Sequence, residues 1–100
     1  MKTTVKLKHD SRKEDGHRIA TATRKFLLKK ENVKTIVCSQ EDKEYLLKIR
    51  DDTLKRIRDT RPGFVADFCE DVLCRDDLYF GSMIKVSKEA KEGKLTLLSK

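Results

Sequence analysis

The chain has 100 residues and a formal net charge of +7, from 24 Lys and Arg against 17 Asp and Glu. This length predicts a single compact domain over residues 1–100, and apolar residues at 37% provide for one modest core. No run of about 18 apolar residues is present, so we expect no membrane contact through a spanning helix. The charged start of the chain also lacks the apolar stretch of a signal peptide.

The three cysteines, Cys38, Cys69 and Cys74, indicate a reducing compartment. Their number is odd and their spacings are unrelated, whereas a small disulfide scaffold usually carries an even number of cysteines. The sequence therefore predicts free thiols and a cytoplasmic protein.

The first part of the chain predicts a strand, a helix and a second strand. Residues 3–8 alternate apolar and polar side chains, which is typical of a half-buried strand. Because Gly16 weakens any earlier start, we expect the firm part of the helix over residues 17–30, ended by a left-handed Asn32. Residues 33–39 predict a central strand, since its apolar residues are consecutive.

Residues 40–61 allow two interpretations. In the first, a single helix begins after a Ser39 cap, with Leu46 and Ile49 on its buried stripe. In the second, a strand around residues 45–49 precedes a short helix. The high content of Glu, Lys, Leu and Arg favours the single helix.

Pro62 must interrupt any helix, and a new amphipathic segment follows it. Residues 64–77 predict an acidic helix with Cys74 on its outer face. Its buried stripe is expected to consist of Val65, Phe68, Cys69, Val72 and Leu73. Residues 82–87 and 94–99 alternate as strands, and we expect residues 88–93 to join them as a hairpin.

These elements predict the α+β class. The expected architecture is a two-layer sandwich in which a small mixed sheet of about four strands carries two to three helices on one face.

The charge is segregated along the chain. Residues 1–61 hold 18 basic and 10 acidic side chains, whereas residues 62–100 hold 6 and 7. Because Arg and Lys bind phosphate oxygens, the basic half predicts a non-catalytic protein whose partner is nucleic acid or an acidic protein surface. The low aromatic content argues against base stacking. The predicted contacts form two clusters: Arg24, Lys25, Lys29 and Lys30, then Lys55, Arg56, Arg58 and Arg61.

A competing hypothesis is a protein-binding inhibitor or adaptor, of the kind that mobile genetic elements encode and direct at a host protein. It depends on Leu28, which lies opposite the core stripe of its helix, and on the acidic helix 64–77 with Asp67, Glu70 and Asp71. Opposite charges on one body also permit head-to-tail association into a homodimer.

No motif predicts an enzyme, a metal site or a cofactor. The dipeptide His9-Asp10 stands alone, without a second histidine cluster to complete a metal site. The four glycines are scattered and form no phosphate-binding loop. We therefore expect no catalytic residue, no metal ligand and no cofactor.

Overall fold

The structure, a computed structural model, describes residues 1–99. It has the expected α+β architecture, with a mixed sheet of five strands and helices packed on one face. The elements are β1 (Lys2–Lys6), α1 (Arg12–Leu28), β2 (Thr35–Cys38), α2 (Gln40–Thr60), α3 (Gly63–Phe68), a π-helical turn (Cys69–Leu73), β3 (Leu78–Tyr79), β4 (Ser82–Val86) and β5 (Lys94–Leu98). The additional strand is the short β3.

The strand order is β1-β5-β2-β4-β3, so the expected hairpin between β4 and β5 is wrong. β2 lies between them, parallel to β4 and antiparallel to β5. The linker after β4 passes the end of β2, where the Ser87 N–H donates to the Cys38 carbonyl over 2.9 Å. The prediction that β2 is central is confirmed, because its apolar residues are paired along both edges.

The core lies between the sheet and the two long helices. One face of the sheet contributes Val5, Ile36, Ile84, Leu95 and Leu97, which are all buried. The strand positions between them form the opposite, open face of the sheet. Against the buried face pack Ile19, Ala22 and Phe26 of α1 and Leu46 and Ile49 of α2.

Residues 40–60 form one helix, which confirms the favoured interpretation. The Ser39 hydroxyl accepts a hydrogen bond from the Asp42 N–H over 3.2 Å and caps the first turn. The apolar side chains that could have alternated along a strand instead follow the 3.6-residue period of this helix.

α1 begins at Arg12, one turn earlier than expected. Ser11 caps it by accepting from the Glu14 N–H over 3.3 Å. Gly16 lies inside the helix. A Cβ at this position would meet Ile49 Cγ2 at 3.3 Å, so the absence of a side chain allows α1 and α2 to approach closely. The left-handed residue after the helix is Lys30, with φ of 59°, and not Asn32.

The acidic segment after Pro62 differs from the expected helix. α3 ends at Phe68, and the π-helical turn shifts the following side chains away from the predicted stripe. Phe68, which ends α3, and Val72, which lies in the turn, are 56% and 51% exposed, whereas Ala66 is buried. The segment packs against α2. A single helix covers a narrower strip of the segment's surface than a sheet would.

The three thiols are free but differ in environment. Cys74 is buried, which corrects its expected place on the outer face, and Cys69 is half-buried. Burial raises the pKa of the Cys38 thiol to about 11 and also raises the pKa of Cys74. Within residues 1–99, no helix has both the length and the apolar character needed to cross a bilayer.

We expect one fast-reacting thiol in the folded protein. Cys69 should react first with a maleimide or a disulfide reagent, because the thiolate is the nucleophile and burial suppresses it at the other two sites. Mass spectrometry of partly labelled protein measures the order. In Cys69→Ser, native labelling should become slow, while three fast thiols in the parent protein would contradict the burial of Cys38 and Cys74.

Candidate functional site

Three grooves adjoin one another along α1. The helix groove, between α1 and α2, has a volume of about 410 Å³. The edge groove, between α1 and β1, measures about 450 Å³ and shares His17 with the helix groove. The end groove, of about 280 Å³, shares Lys13 and Arg56 with the helix groove. Together they form one surface, here named the α1 surface.

The α1 surface is strongly basic. Nine Lys or Arg side chains line it against one carboxylate, Asp52. Such an excess of one sign on concave walls concentrates a positive potential outside the protein. The basic residues are Lys6, Lys8, Arg12, Lys13, Arg18, Arg24, Lys25, Lys55 and Arg56.

Only two of the nine form ion pairs within residues 1–99. Arg12 Nε lies 3.0 Å from an oxygen of Asp52, and Arg18 contacts the Asp15 carboxylate. The other seven have no carboxylate within ion-pair distance. One cause is local, since residues 16–30 contain no Asp or Glu before Glu31.

Half of the predicted phosphate contacts lie on this surface. Arg24 and Arg56 line the helix groove, although they come from different helices and from the two separate sequence clusters. Lys25 lines the edge groove and Lys55 lines the end groove. Folding therefore joins part of each predicted cluster into one surface.

The other four predicted residues lie apart from it. Lys29, Lys30 and Arg61 line none of the three grooves. Arg58 instead contacts Glu70 at 2.5 Å and Asp67 at 3.3 Å. These two carboxylates raise the pKa of Arg58 and compensate its charge, so Arg58 is a weak candidate for phosphate binding.

The residues of the competing hypothesis lie at the end of α1 and on the acidic segment after Pro62. Leu28 is 81% exposed at the end of α1, as expected from its wheel position. Asp67 and Glu70 share Arg58, so their charges are partly neutralised. Asp71 is exposed on the π-helical turn and has no ion pair among residues 1–99.

Five basic residues of the α1 surface were not among the predicted phosphate contacts: Lys6, Lys8, Arg12, Lys13 and Arg18. Lys13 was lost because the helix was expected to begin near His17, and a start at Ser11 would have placed it one turn before His17. Lys6 and Lys8 were assigned to a strand, and only the position of β1 at the sheet edge brings them beside α1.

A buried carboxylate, Asp15, fixes the loop between β1 and α1. The N–H groups of Lys8 and His9 donate to it over 3.1 and 3.0 Å, and the Tyr45 hydroxyl donates over 2.5 Å. Arg18 donates as well. Burial alone would raise the pKa of Asp15, but these hydrogen bonds outweigh burial and hold it below its ordinary value.

Asp42 is the second buried carboxylate of this network. One oxygen contacts His9 Nε2 at 3.0 Å, and the other accepts from the Gly93 N–H over 2.8 Å. The His9 ring stacks on Tyr45 with centroids 4.1 Å apart. Burial and the Asp15 hydrogen bond raise the pKa of Tyr45. The network thus joins two loops to both helices.

The chemistry of this network is structural. Its carboxylates accept hydrogen bonds from the backbone and from neighbouring side chains, and Asp15, Asp42, His9 and Tyr45 line none of the three grooves. Among residues 1–99, no group of three or more His, Cys, Asp or Glu side chains is placed to hold a metal ion.

Comparison of the chain with family models, with curated proteins and with solved structures finds no match.

We expect Asp15→Asn to destabilise the fold by about 2–4 kcal/mol, because an amide cannot accept all the hydrogen bonds that converge on the carboxylate. Urea unfolding at neutral pH measures the loss. The matched control, Asp71→Asn on the exposed turn, should change stability by less than about 0.5 kcal/mol.

Asp15 should also make stability depend on pH. Its pKa is lower in the folded than in the unfolded protein, so its contribution is full above the unfolded value near 3.8 and is lost as pH falls through the folded value. The free energy of unfolding should therefore fall less steeply below about pH 5 in Asp15→Asn than in the parent. Parallel curves would contradict this role.

Proposed function

We propose that this protein is a non-catalytic nucleic-acid-binding protein and that the α1 surface contacts the phosphate backbone. The observation that supports the proposal most directly is the ratio of nine basic side chains to one carboxylate along the three grooves. Seven of these cations have no ion-pair partner among residues 1–99, so they are available to an external anion.

The shape of the surface supports a chain-like anion rather than a single small one. The unpaired cations are distributed over three connected grooves, from Lys6 on the edge strand to Lys55 on α2. A phosphate backbone carries regularly repeated charges, and each one that is neutralised releases condensed counterions. Grouped cations of this kind repel one another in the free protein, and a bound polyanion relieves that repulsion.

The proposal includes an intracellular, cytoplasmic location, where nucleic acid is present. The three unpaired cysteines support it, since thiols persist in a reducing compartment.

The first test is the salt dependence of binding. Fluorescence anisotropy with a labelled oligonucleotide should give an affinity that falls linearly on a log–log plot, with about 0.7–0.9 added to the slope for each phosphate contacted. Arg24→Gln combined with Arg56→Gln should lower the slope by about 1.5 and weaken binding about tenfold.

The matched control is Lys88→Gln combined with Lys91→Gln. It removes the same formal charge from the linker between β4 and β5, which lines none of the three grooves. This control should change the slope by less than about 0.5. An affinity that does not respond to salt, or equal effects of the two double variants, would reject the α1 surface as the contact.

A second candidate function, protein binding by self-association, is favoured by an exposed apolar stripe on the acidic segment. Phe64 and Phe68 are 74% and 56% exposed, and Asp71 lies one turn further on. A surface that complements this acidic and apolar stripe would be basic and apolar. The last turn of α1 in the same chain has these properties, because it carries Lys25 and the exposed Leu28. Contact between these unlike surfaces of two copies would be head-to-tail.

For this candidate, sedimentation velocity should show association at low salt that weakens as ionic strength rises. Phe64→Ser combined with Phe68→Ser should yield a monomer, and so should Leu28→Ser. Because Leu28 and Phe64 are exposed, circular dichroism should show an unchanged fold. A parent protein that stays monomeric at high concentration and low salt would exclude self-association.

A further inference from the structure

The helix groove has chemistry that phosphate binding does not require. Its floor is formed largely by apolar and aromatic side chains, among them Ile19, Tyr79 and Phe80, while its basic residues include Arg24 and Arg56. Exposed cations alone would satisfy a phosphate backbone. An apolar concavity between cations instead fits a flat, uncharged ring that is attached to phosphates. The volume, about 410 Å³, lies within the range of about 300–1,000 Å³ for ligand pockets.

The backbone at Phe80 gives a second, independent indication. Phe80 and Gly81 form the two-residue turn between β3 and β4, with φ angles of 46° and 91°. Positive φ at both turn positions favours Asn followed by Gly, and a bulky residue in the left-handed region is strained. The turn thus holds an aromatic ring at the groove at a conformational cost, and such strain tends to occur at functional sites.

We propose that the helix groove binds an unpaired base of single-stranded nucleic acid. This inference rests on the proposed function and adds the state of the partner. The base stacks on Phe80, and Arg24 and Arg56 contact the phosphates on either side of it. Base stacking on an aromatic ring tolerates any sequence, because every base presents a π-face. In a duplex, the bases are stacked inside and cannot enter the groove.

The low aromatic content of the chain had argued against stacking. The fold nevertheless provides aromatic rings for stacking at this groove. Two of the six aromatic residues, Tyr79 and Phe80, are adjacent there, with ring centroids 5.2 Å apart.

The experiment compares three probes of equal phosphate number. They are a single-stranded oligothymidine of about 20 nucleotides, an abasic phosphodiester strand of the same length, and a short duplex. The oligothymidine should bind about tenfold more tightly than the abasic strand, since loss of stacking removes about this factor. The duplex should bind no more tightly than the abasic strand.

Two variants then test the groove without removing a cation. Phe80→Asn places in the turn the residue that its φ angle favours, so the melting temperature should be kept or raised. Its affinity for oligothymidine should fall to that for the abasic strand, while the affinity for the abasic strand stays unchanged. Ala20→Trp fills the exposed mouth of the groove from α1 and should have the same effect.

Each outcome decides between the two proposals. Equal binding of oligothymidine and the abasic strand, or a preference for duplex, would overturn the base site and leave phosphate binding intact. Absence of binding to all three probes at low salt would overturn the proposed function and the base site together. Normal base preference in both Phe80→Asn and Ala20→Trp would show that the base binds elsewhere.

Discussion

Two buried carboxylates organise this fold. Asp15 and Asp42 lie in the first turns of α1 and α2, where the helix dipole favours negative charge. Asp15 accepts from the loop that follows β1, and Asp42 accepts from the Gly93 N–H just before β5. Each carboxylate therefore fixes a helix and a loop that leads to or from the sheet. His9, which contacts Asp42 and stacks on Tyr45, joins the two centres.

The same network determines what the outside of the molecule presents. Both carboxylates are buried and accept hydrogen bonds inside the protein. Of the cations on the α1 surface, Arg18 alone forms an ion pair with either of them among residues 1–99. Asp15 sets where α1 starts relative to β1, and Gly16 sets how closely α1 approaches α2. The spacing between β1 and α1 sets the walls of the edge groove, and the spacing between α1 and α2 sets those of the helix groove. The positions of the cations that line these grooves depend on both spacings.

Periodicity was sufficient for most of the secondary structure. Central β2 and the single α2 follow from consecutive apolar residues and from helix propensity, respectively, since both are local properties. The start of α1 was missed because Gly16 is unfavourable in an isolated helix, while its benefit comes from contact with Ile49 in another element. Strand order could not be predicted, because alternation shows that a strand exists and not which strand it pairs with.

In the candidate site, too, the residue types could be read from the sequence, whereas their spatial grouping depends on contacts between elements. Arg24 and Arg56 were recognisable as basic residues, but their convergence on one groove depends on the crossing of two helices. Arg58 is a near neighbour of Arg56 in sequence and faces α3, where Glu70 and Asp67 bind it. Asp15 did carry a sequence signal, because it continues the stripe of Ile19, Ala22 and Phe26 toward the start of α1. A helix start at Ser11 was needed to recognise it.

The position of β5 has a consequence for how the chain assembles. The last strand lies between β1 and β2, and it pairs with the first strand along Lys2–Lys6. During synthesis, β1 and β2 have no common neighbour until β5 has been made. Completion of the sheet therefore waits for β5 to pair with β1 and β2, which are distant from it in sequence, and pairing of high contact order is slow.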